Sequence, residues 1–162
     1  MPAKSVDFTT FAWPSLLKRL RQMLVTGHPL EEGIDWSLQA EGSGRGRHVN
    51  RSLGALLTLR GKGAERADCS LFEEPWLYAG WSPSPLLVAS SPAGLGRYEM
   101  AAALLSNCQS GAAPVARSLG RAEGMLAAGA FVHQYAAHGV ERGDLEAAFA
   151  RAEDVVETYR QI

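Results

Sequence analysis

The stretch 34–41, Ile-Asp-Trp-Ser-Leu-Gln-Ala-Glu, carries apolar residues at alternate positions. A period of two is typical of a strand with one buried face, so Ile34, Trp36 and Leu38 are expected to point inward. Residues 53–61, LGALLTLRG, predict a second strand, because leucine and threonine lie between glycine boundaries. These two stretches predict that the protein contains a β-sheet.

Helical periodicity precedes and follows these strands. Residues 8–26 repeat apolar side chains at a spacing of three to four, and Gly27 ends the pattern. The same spacing predicts a helix over residues 97–108. A third regular apolar stripe, over residues 145–162, predicts a final helix that begins beside Asp144.

The segment 113–138 is ambiguous when it is read alone. Its alanines favour a helix, whereas Gly124, Gly129 and the run Phe-Val-His-Gln-Tyr favour a strand. Loops are predicted at 42–52, which is rich in glycine and arginine, and at 82–96, which is rich in proline, serine and glycine.

The order of these elements predicts the α+β class. The connections between strands are too short for repeated βαβ crossovers, so we expect an antiparallel sheet flanked by helices. The length of 162 residues, with 46% hydrophobic residues and a net charge of -1, fits a single domain over residues 1–162. The sequence shows no membrane span and no signal pattern, which predicts a cytoplasmic location. Cys69 and Cys108 are interpreted as core thiols.

The basic segment 42–62 is the main candidate for chemistry with a charged ligand. Arg45 and Arg47 lie among glycines, an arrangement that suits either a solvated hairpin loop or a contact with phosphate. His133 and His138 are five residues apart, which is not a zinc-binding spacing, so no metal is predicted. No complete catalytic motif is present, and no cofactor and no catalytic residue are predicted.

Three segments together resemble the class I chaperones of type III secretion systems. Residues 100–107, MAAALLSN, are similar to that family's second helix, and residues 144–153, DLEAAFARAE, resemble its last helix. Residues 76–79, WLYA, stand where that family has its third strand. The resemblance implies the order helix, three strands, helix, two strands, helix, with strands at 113–121 and 125–136.

The resemblance also implies a non-enzymatic function. Such a chaperone binds the extended N-terminal segment of secreted effector proteins for type III export, so effectors and the secretion ATPase are the expected partners. It is expected to be a homodimer that meets through the 97–108 helix, at Tyr98, Ala101, Ala102 and Leu105. The groove for the effector is predicted to be lined by Trp36, Leu38, Leu57, Leu59, Trp76, Tyr78 and Phe131.

Two other functions remain open on the sequence. A small nucleic-acid-associated or regulatory protein would use the basic segment 42–62, and its binding would weaken steeply with salt. An enzyme would assemble its site from separated histidine, serine and acidic residues in a concave pocket. The sequence identifies neither the number nor the nature of the partners.

Overall fold

The computed structural model describes residues 11–28 and 50–162. The elements in chain order are α1 (Trp13–Thr26), β1 (Ser52–Gly61), β2 (Leu86–Ser91), β3 (Met100–Cys108), α2 (Ala112–Ala127), α3 (Val132–Ala136) and α4 (Arg142–Arg160). The α+β class is confirmed. The chain divides into two compact units, Met1–Cys108 and Gln109–Ile162, and the single domain predicted over 1–162 stays a prediction.

Strand β1 is the centre of the sheet in the first unit. The strand order is β2-β1-β3, with β2 parallel and β3 antiparallel to β1. The sheet is therefore mixed, and the purely antiparallel sheet expected from the sequence is wrong. Alternation along β1 buries Ala55, Leu57 and Leu59 on one face, as the predicted strand 53–61 requires.

Helix α1 packs against the buried face of this sheet. It contributes Leu17, Leu24 and Val25 to the same apolar cluster as Leu57 and Leu59. The helix ends as predicted at Gly27, whose φ of 66° is the left-handed conformation that glycine adopts readily.

Residue Asn50 stabilises the C-terminal end of α1. Its side-chain nitrogen Nδ2 donates a hydrogen bond of 2.7 Å to the Leu24 carbonyl oxygen, and the Asn50 side chain is buried. Carbonyl groups at the end of a helix lack partners within the helix, so this bond satisfies one of them.

The segment 64–79 is a series of tight turns. Short 3-10 helices cover Ala64–Arg66, Ser70–Phe72 and Pro75–Leu77, and Pro75 begins the last of them. The third strand that the resemblance implied at 76–79 is therefore wrong, apart from an isolated bridge between Ser52 and Tyr78. Proline fixes its own φ and lacks an N–H group, so it favours the start of a turn over the interior of a sheet.

The segment 97–108 is a strand and not the predicted helix. Residues Met100–Cys108 pair with β1 along its length, with Ala103 opposite Thr58 and Leu105 opposite Leu56. Ala102 and Leu104 pack against the core, whereas Leu105 is 74% exposed. Nearly every position of Met100–Cys108 is apolar or small, and none is charged. The run therefore satisfies the i, i+3 and i, i+4 spacing of a helix without being one.

The predicted loop 82–96 contains strand β2. Residues Leu86–Ser91 pair in parallel with β1 from Ala55 to Arg60.

The chain turns at Gly61, the last residue of β1. The φ of Gly61 is 129°, and a Cβ atom added there would clash with the Glu99 carbonyl oxygen. Only glycine permits this close approach of two backbone segments.

The second unit consists of helices. Residues 113–121 lie in α2, and residues 125–136 lie in α2, a left-handed turn and α3, so the two strands implied by the resemblance are wrong. The high helix propensity of the alanines in this segment outweighs the low helix propensity of its central glycines.

The final helix α4 begins at Arg142, close to the predicted start beside Asp144. The Asp144 carboxylate accepts a hydrogen bond of 2.9 Å from the Glu141 backbone N–H, which completes a capping box.

Several sequence predictions lie outside the described residues. They are the strand 34–41 with Trp36 and Leu38, most of the loop 42–52 with Arg45 and Arg47, and the first residues of the stretch 8–26. Across residues 11–28 and 50–162, the structure contains no helix that is both long enough and apolar enough to cross a membrane.

Candidate interaction surfaces

The residues predicted to line one groove are dispersed by the fold. Leu57 and Leu59 are 0% and 1% exposed and face the core from β1. Tyr78 is also buried, so none of these three side chains can line a surface groove. Phe131 lies in the second unit, is half exposed, and adopts a φ of 62° directly before α3.

The Tyr78 hydroxyl group forms a hydrogen bond within the core. The Tyr78 Oη donates a hydrogen bond of 2.8 Å to the Phe72 carbonyl oxygen within the buried cluster. Burial, and secondarily the negative charge of Glu73, raise the pKa of Tyr78 above its ordinary value. The hydroxyl group therefore stays protonated and acts as a donor for the turn that contains Phe72.

Trp76 is half buried and belongs to a junction formed with Arg21 and Glu74. Its indole N–H donates a hydrogen bond of 2.7 Å to Glu74 Oε2, and the same oxygen lies 2.6 Å from an Arg21 guanidinium nitrogen. The guanidinium carbon lies 5.4 Å from the centroid of the Trp76 ring. Arg21 Nε also donates to the Leu71 carbonyl oxygen at 3.1 Å.

This junction ties α1 to the turn segment 64–79. The Arg21 side chain is only 15% exposed. Charge-assisted hydrogen bonds of a partly buried guanidinium position two elements relative to each other. The arrangement is structural, and the sequence contains no local signal that pairs Arg21 with a residue more than fifty positions away.

The residues predicted for a dimer interface lie on or beside β3. Tyr98 precedes the strand and is 58% exposed, and its ring lies 5.5 Å from the Arg97 guanidinium carbon. Ala102 faces the core, and Leu105 points to the opposite face of the sheet. The structure therefore does not bring the four predicted interface residues together on one helix face.

The outer face of the sheet carries an apolar row that crosses all three strands. Leu56 on β1 is opposite Leu87 of β2 on one side and opposite Leu105 of β3 on the other. Leu87 is 66% exposed and Leu105 is 74% exposed. Exposed apolar side chains that adjoin one another mark contact sites in soluble proteins, so this row is a candidate contact surface.

The cysteines and the possible metal ligands among the described residues show no features of a reactive site. Cys69 is half buried, and burial, followed by the charges of Asp68 and Glu73, raises the pKa of its thiol, which disfavours the nucleophilic thiolate. Cys69 packs against the apolar cluster of the first unit, in line with its interpretation as a core thiol, and Cys108 is half buried. Within the described ranges, no three His, Cys, Asp or Glu side chains are grouped so that they could hold a metal ion.

Sequence comparison provides a relationship that the geometry alone does not. No family model matches the chain. Tubulin delta chains from Canis lupus familiaris, Mus musculus and Homo sapiens are each 36% identical to it over 171 residues. The chain is similar to delta tubulins. These alignments cover 98% of the chain but only 38% of each relative, so the chain spans well under half the length of the curated relatives it matches.

This similarity overturns the function inferred from the resemblance to secretion chaperones. The matched relatives are tubulin delta chains, so the prediction of effector binding for type III export is wrong. The predicted partners, namely secreted effectors and a secretion ATPase, are overturned with it, and the homodimer stays a prediction. The resemblance rested on hydrophobic spacings, and these recur in unrelated α+β proteins because burial imposes the same periods on all of them.

Proposed function

We propose that this chain is a delta-tubulin-like cytoskeletal segment that acts by binding other subunits of the tubulin family in the cytoplasm. The observation that carries the proposal is the 36% identity over 98% of the chain. An alignment that includes nearly every residue of the chain supports a shared fold across the segment, beyond a shared short motif.

A role in protein contacts also agrees with the surface of the first unit. Leu87, Leu105 and Trp81 are large apolar side chains that are each more than 60% exposed. Contiguous exposed apolar surface marks contact sites in soluble proteins, because leaving it in water is unfavourable.

A non-catalytic role is the second part of the proposal. Each shifted pKa among the described residues has a local structural cause. A hydrogen bond from Ser70 lowers the pKa of Asp68, burial raises the pKa of Cys69 and Tyr78, and partial removal from water together with Glu153 raises the pKa of Glu123. Asp68, Cys69 and Tyr78 lie in the turn segment 64–79, but the raised pKa values of Cys69 and Tyr78 keep both groups protonated, so these shifts do not provide the paired acid and base of a typical active site.

Co-sedimentation with purified tubulin tests this proposal. The purified 162-residue chain is mixed with microtubules and, separately, with unpolymerised tubulin, and binding is measured by sedimentation and by size-exclusion chromatography. The matched region of the mouse tubulin delta chain is run in parallel as a positive control. We expect both proteins to bind the same form of tubulin.

Failure of the chain to bind either form at about 10 µM, an affinity that corresponds to about -7 kcal/mol, would contradict the proposal. Binding by the mouse region alone would show that the similarity does not extend to this contact. If neither protein bound, the contact with tubulin would not reside in this segment.

A further inference from the structure

The sequence contains three serine-proline pairs, and all of them lie in the segment 82–92. They are Ser82-Pro83, Ser84-Pro85 and Ser91-Pro92, and the sequence contains no threonine-proline pair. Proline fixes its own φ and lacks an N–H group, so a serine followed by proline presents a distinct backbone to a binding partner. The structure places the three serines in different surroundings.

The hydroxyl group of Ser82 is engaged in a hydrogen bond. Its Oγ donates to the Leu53 carbonyl oxygen at 2.9 Å, and its backbone N–H donates to the Ala79 carbonyl oxygen at 3.0 Å. The residue is half buried. A reaction that replaces the hydroxyl proton of Ser82 would therefore have to break the bond to Leu53.

Ser91 is held by the sheet. It is the last residue of β2 and is opposite Arg60 of β1. Its Oγ accepts a hydrogen bond of 3.3 Å from the Ala93 backbone N–H, and the residue is half buried. An enzyme that bound an extended segment around Ser91 would have to separate the end of β2 from β1, which leaves backbone groups without partners.

Ser84 has neither of these constraints. It is exposed, as is Pro83, and the backbone bends at these two residues before β2 begins at Leu86. The hydroxyl group of Ser84 forms no hydrogen bond with any other group in the described part of the chain. The Ala55 N–H donates to the Pro85 carbonyl oxygen at 2.7 Å and so fixes the end of this bend on β1.

We propose that Ser84 is a phosphorylation site for a proline-directed serine kinase, and that the fold selects it from the three serine-proline pairs. Pro85 directly follows the serine and leaves no N–H group without a partner in the kinase site. The co-substrate is Mg²⁺-bound ATP. Ser84 Oγ forms a bond to the γ-phosphorus while the bond from this phosphorus to the β,γ-bridging oxygen breaks. ADP leaves, and the hydroxyl proton passes to an aspartate of the kinase.

The phosphate would change the charge of an apolar region of the surface. Ser84 lies three residues after Trp81 and three residues before Leu87, which are 73% and 66% exposed. A phosphoserine carries a charge of about -1.5 to -2 at pH 7, which opposes the burial of neighbouring apolar side chains in a contact. Phosphorylation of Ser84 should therefore weaken the contacts of the first unit, and this part of the inference rests on the proposed function.

The probe for the site is a purified mitogen-activated protein kinase, which is proline-directed, together with Mg²⁺-ATP and the folded 162-residue chain. Mass spectrometry of proteolytic fragments locates the phosphate and measures its rate of incorporation at each serine. We expect Ser84 to react at least about tenfold faster than Ser82 and Ser91. In the synthetic peptides 78–88 and 87–97, which lack the tertiary contacts, the three serines should react at rates within about fivefold of one another.

Two pairs of matched variants test the serine and the proline separately. Ser84→Ala should lower the total incorporation at least about tenfold, whereas Ser82→Ala should change it less than about twofold. Pro85→Ala should lower it as strongly as Ser84→Ala, whereas Pro83→Ala leaves the pair Ser84-Pro85 intact and should preserve it. Ser84→Thr keeps a hydroxyl group and should restore incorporation. Circular dichroism verifies that the variants are folded, and if Pro85→Ala is not, the two serine variants decide the question.

Three results would overturn the proposed site. The first is phosphate found mainly at Ser82 or Ser91 of the folded chain, or no incorporation at all. The second is the same preference for Ser84 in the peptides as in the folded chain, because the fold would then select nothing. The third is undiminished incorporation in a folded Pro85→Ala variant, because the reaction would then not be directed by proline.

Co-sedimentation separates this inference from the proposed function. The chain phosphorylated at Ser84 should bind tubulin at least about tenfold more weakly than the unmodified chain, and kinase-treated Ser84→Ala should bind as the unmodified chain does. Equal binding before and after phosphorylation would overturn the effect on contacts. If the unmodified chain binds neither form of tubulin, the proposed function fails, and the position of the phosphate still decides whether Ser84 is the site.

Discussion

The two compact units differ in how completely they bury their apolar residues. Among the described residues, every side chain that is less than 2% exposed lies in the first unit, including Phe72, Leu57 and Leu77. The buried residues of the second unit are Ala112, Leu126 and Val156, and each keeps 4–8% of its surface exposed. A helix on a sheet encloses a core, whereas two helices share only a seam.

This difference predicts where the protein is sensitive to substitution. The first unit depends on tight packing and on buried hydrogen bonds, so removal of one group leaves a cavity or an unsatisfied atom. The second unit depends more on helix propensity, on the capping box of α4 and on exposed pairs such as Arg142 with Glu146. Single substitutions there are expected to have smaller effects.

Phe72→Ala is expected to have the largest effect. The Phe72 ring is 0% exposed, and its removal should lower the free energy of unfolding of the first unit by about 3–5 kcal/mol. Phe11→Ala is the matched control, because Phe11 is 89% exposed and should change stability by less than about 0.5 kcal/mol. Urea unfolding measures both. Equal effects would contradict the assignment of Phe72 to the core.

Arg21→Ala should rank second. It removes the 2.6 Å contact with Glu74 and the bond to the Leu71 carbonyl, and should cost about 1–3 kcal/mol. Arg142→Ala breaks the exposed pair of α4 and should cost about 0.3–0.5 kcal/mol. Thermal unfolding in low and high salt compares them. A strongly salt-dependent loss for Arg21→Ala would mean that its side chain is solvated.

The second unit can be tested at adjacent positions of α4. Val156→Ala removes two methyl groups from the seam and should destabilise the helix pair by about 1–2 kcal/mol. Val155→Ala should be neutral or slightly stabilising, because Val155 is 53% exposed and alanine has the higher helix propensity. Hydrogen exchange of amides in α2 and α4 measures the difference. Equal protection in the two variants would show that the helices do not share this seam.

The smallest expected effect is a change in pH dependence. Partial removal from water, together with a hydrogen bond and charge repulsion from Glu153, raises the pKa of Glu123 in the folded chain. The protonated form is therefore favoured by folding, and stability is lost as the pH rises from the ordinary carboxyl value through the raised pKa. Glu123→Gln should flatten this loss.

Melting temperatures between pH 4 and pH 8 measure the effect of Glu123→Gln. Glu153→Gln removes the other carboxylate of the same pair and should act in the same direction. A wild-type melting temperature that rises steadily over this interval, with no change in slope in either variant, would contradict the pairing of Glu123 with Glu153.

The elements predicted correctly are those whose local signals agree with one another. Helix α1 combines an apolar stripe with a glycine stop at Gly27, and α4 combines a stripe with an acidic first turn at Asp144. Strand β1 has leucine and threonine residues between glycine boundaries. In each case, the residues within one short window contain enough information to specify the element.

The candidate surfaces were harder to predict. The sequence identifies Trp76 and Leu105 as candidate contact residues, but it does not show which of them is exposed. Arg21 lies in a partly buried junction because a turn more than fifty residues away supplies Glu74 and Trp76. The outer row of Leu87, Leu56 and Leu105 exists only once three separated segments are in register.

Residues 100–108 show most clearly which information is local. MAAALLSNC is apolar or small at nearly every position, so it satisfies the helical period as well as the strand period. Hydrogen bonding to β1 makes it a strand. The amino-acid order specified α1, β1 and α4 through local periodicity and end signals. The conformation of β3 and the exposure of its residues depended on contacts between distant segments, because neighbouring residues cannot encode the partner of a strand.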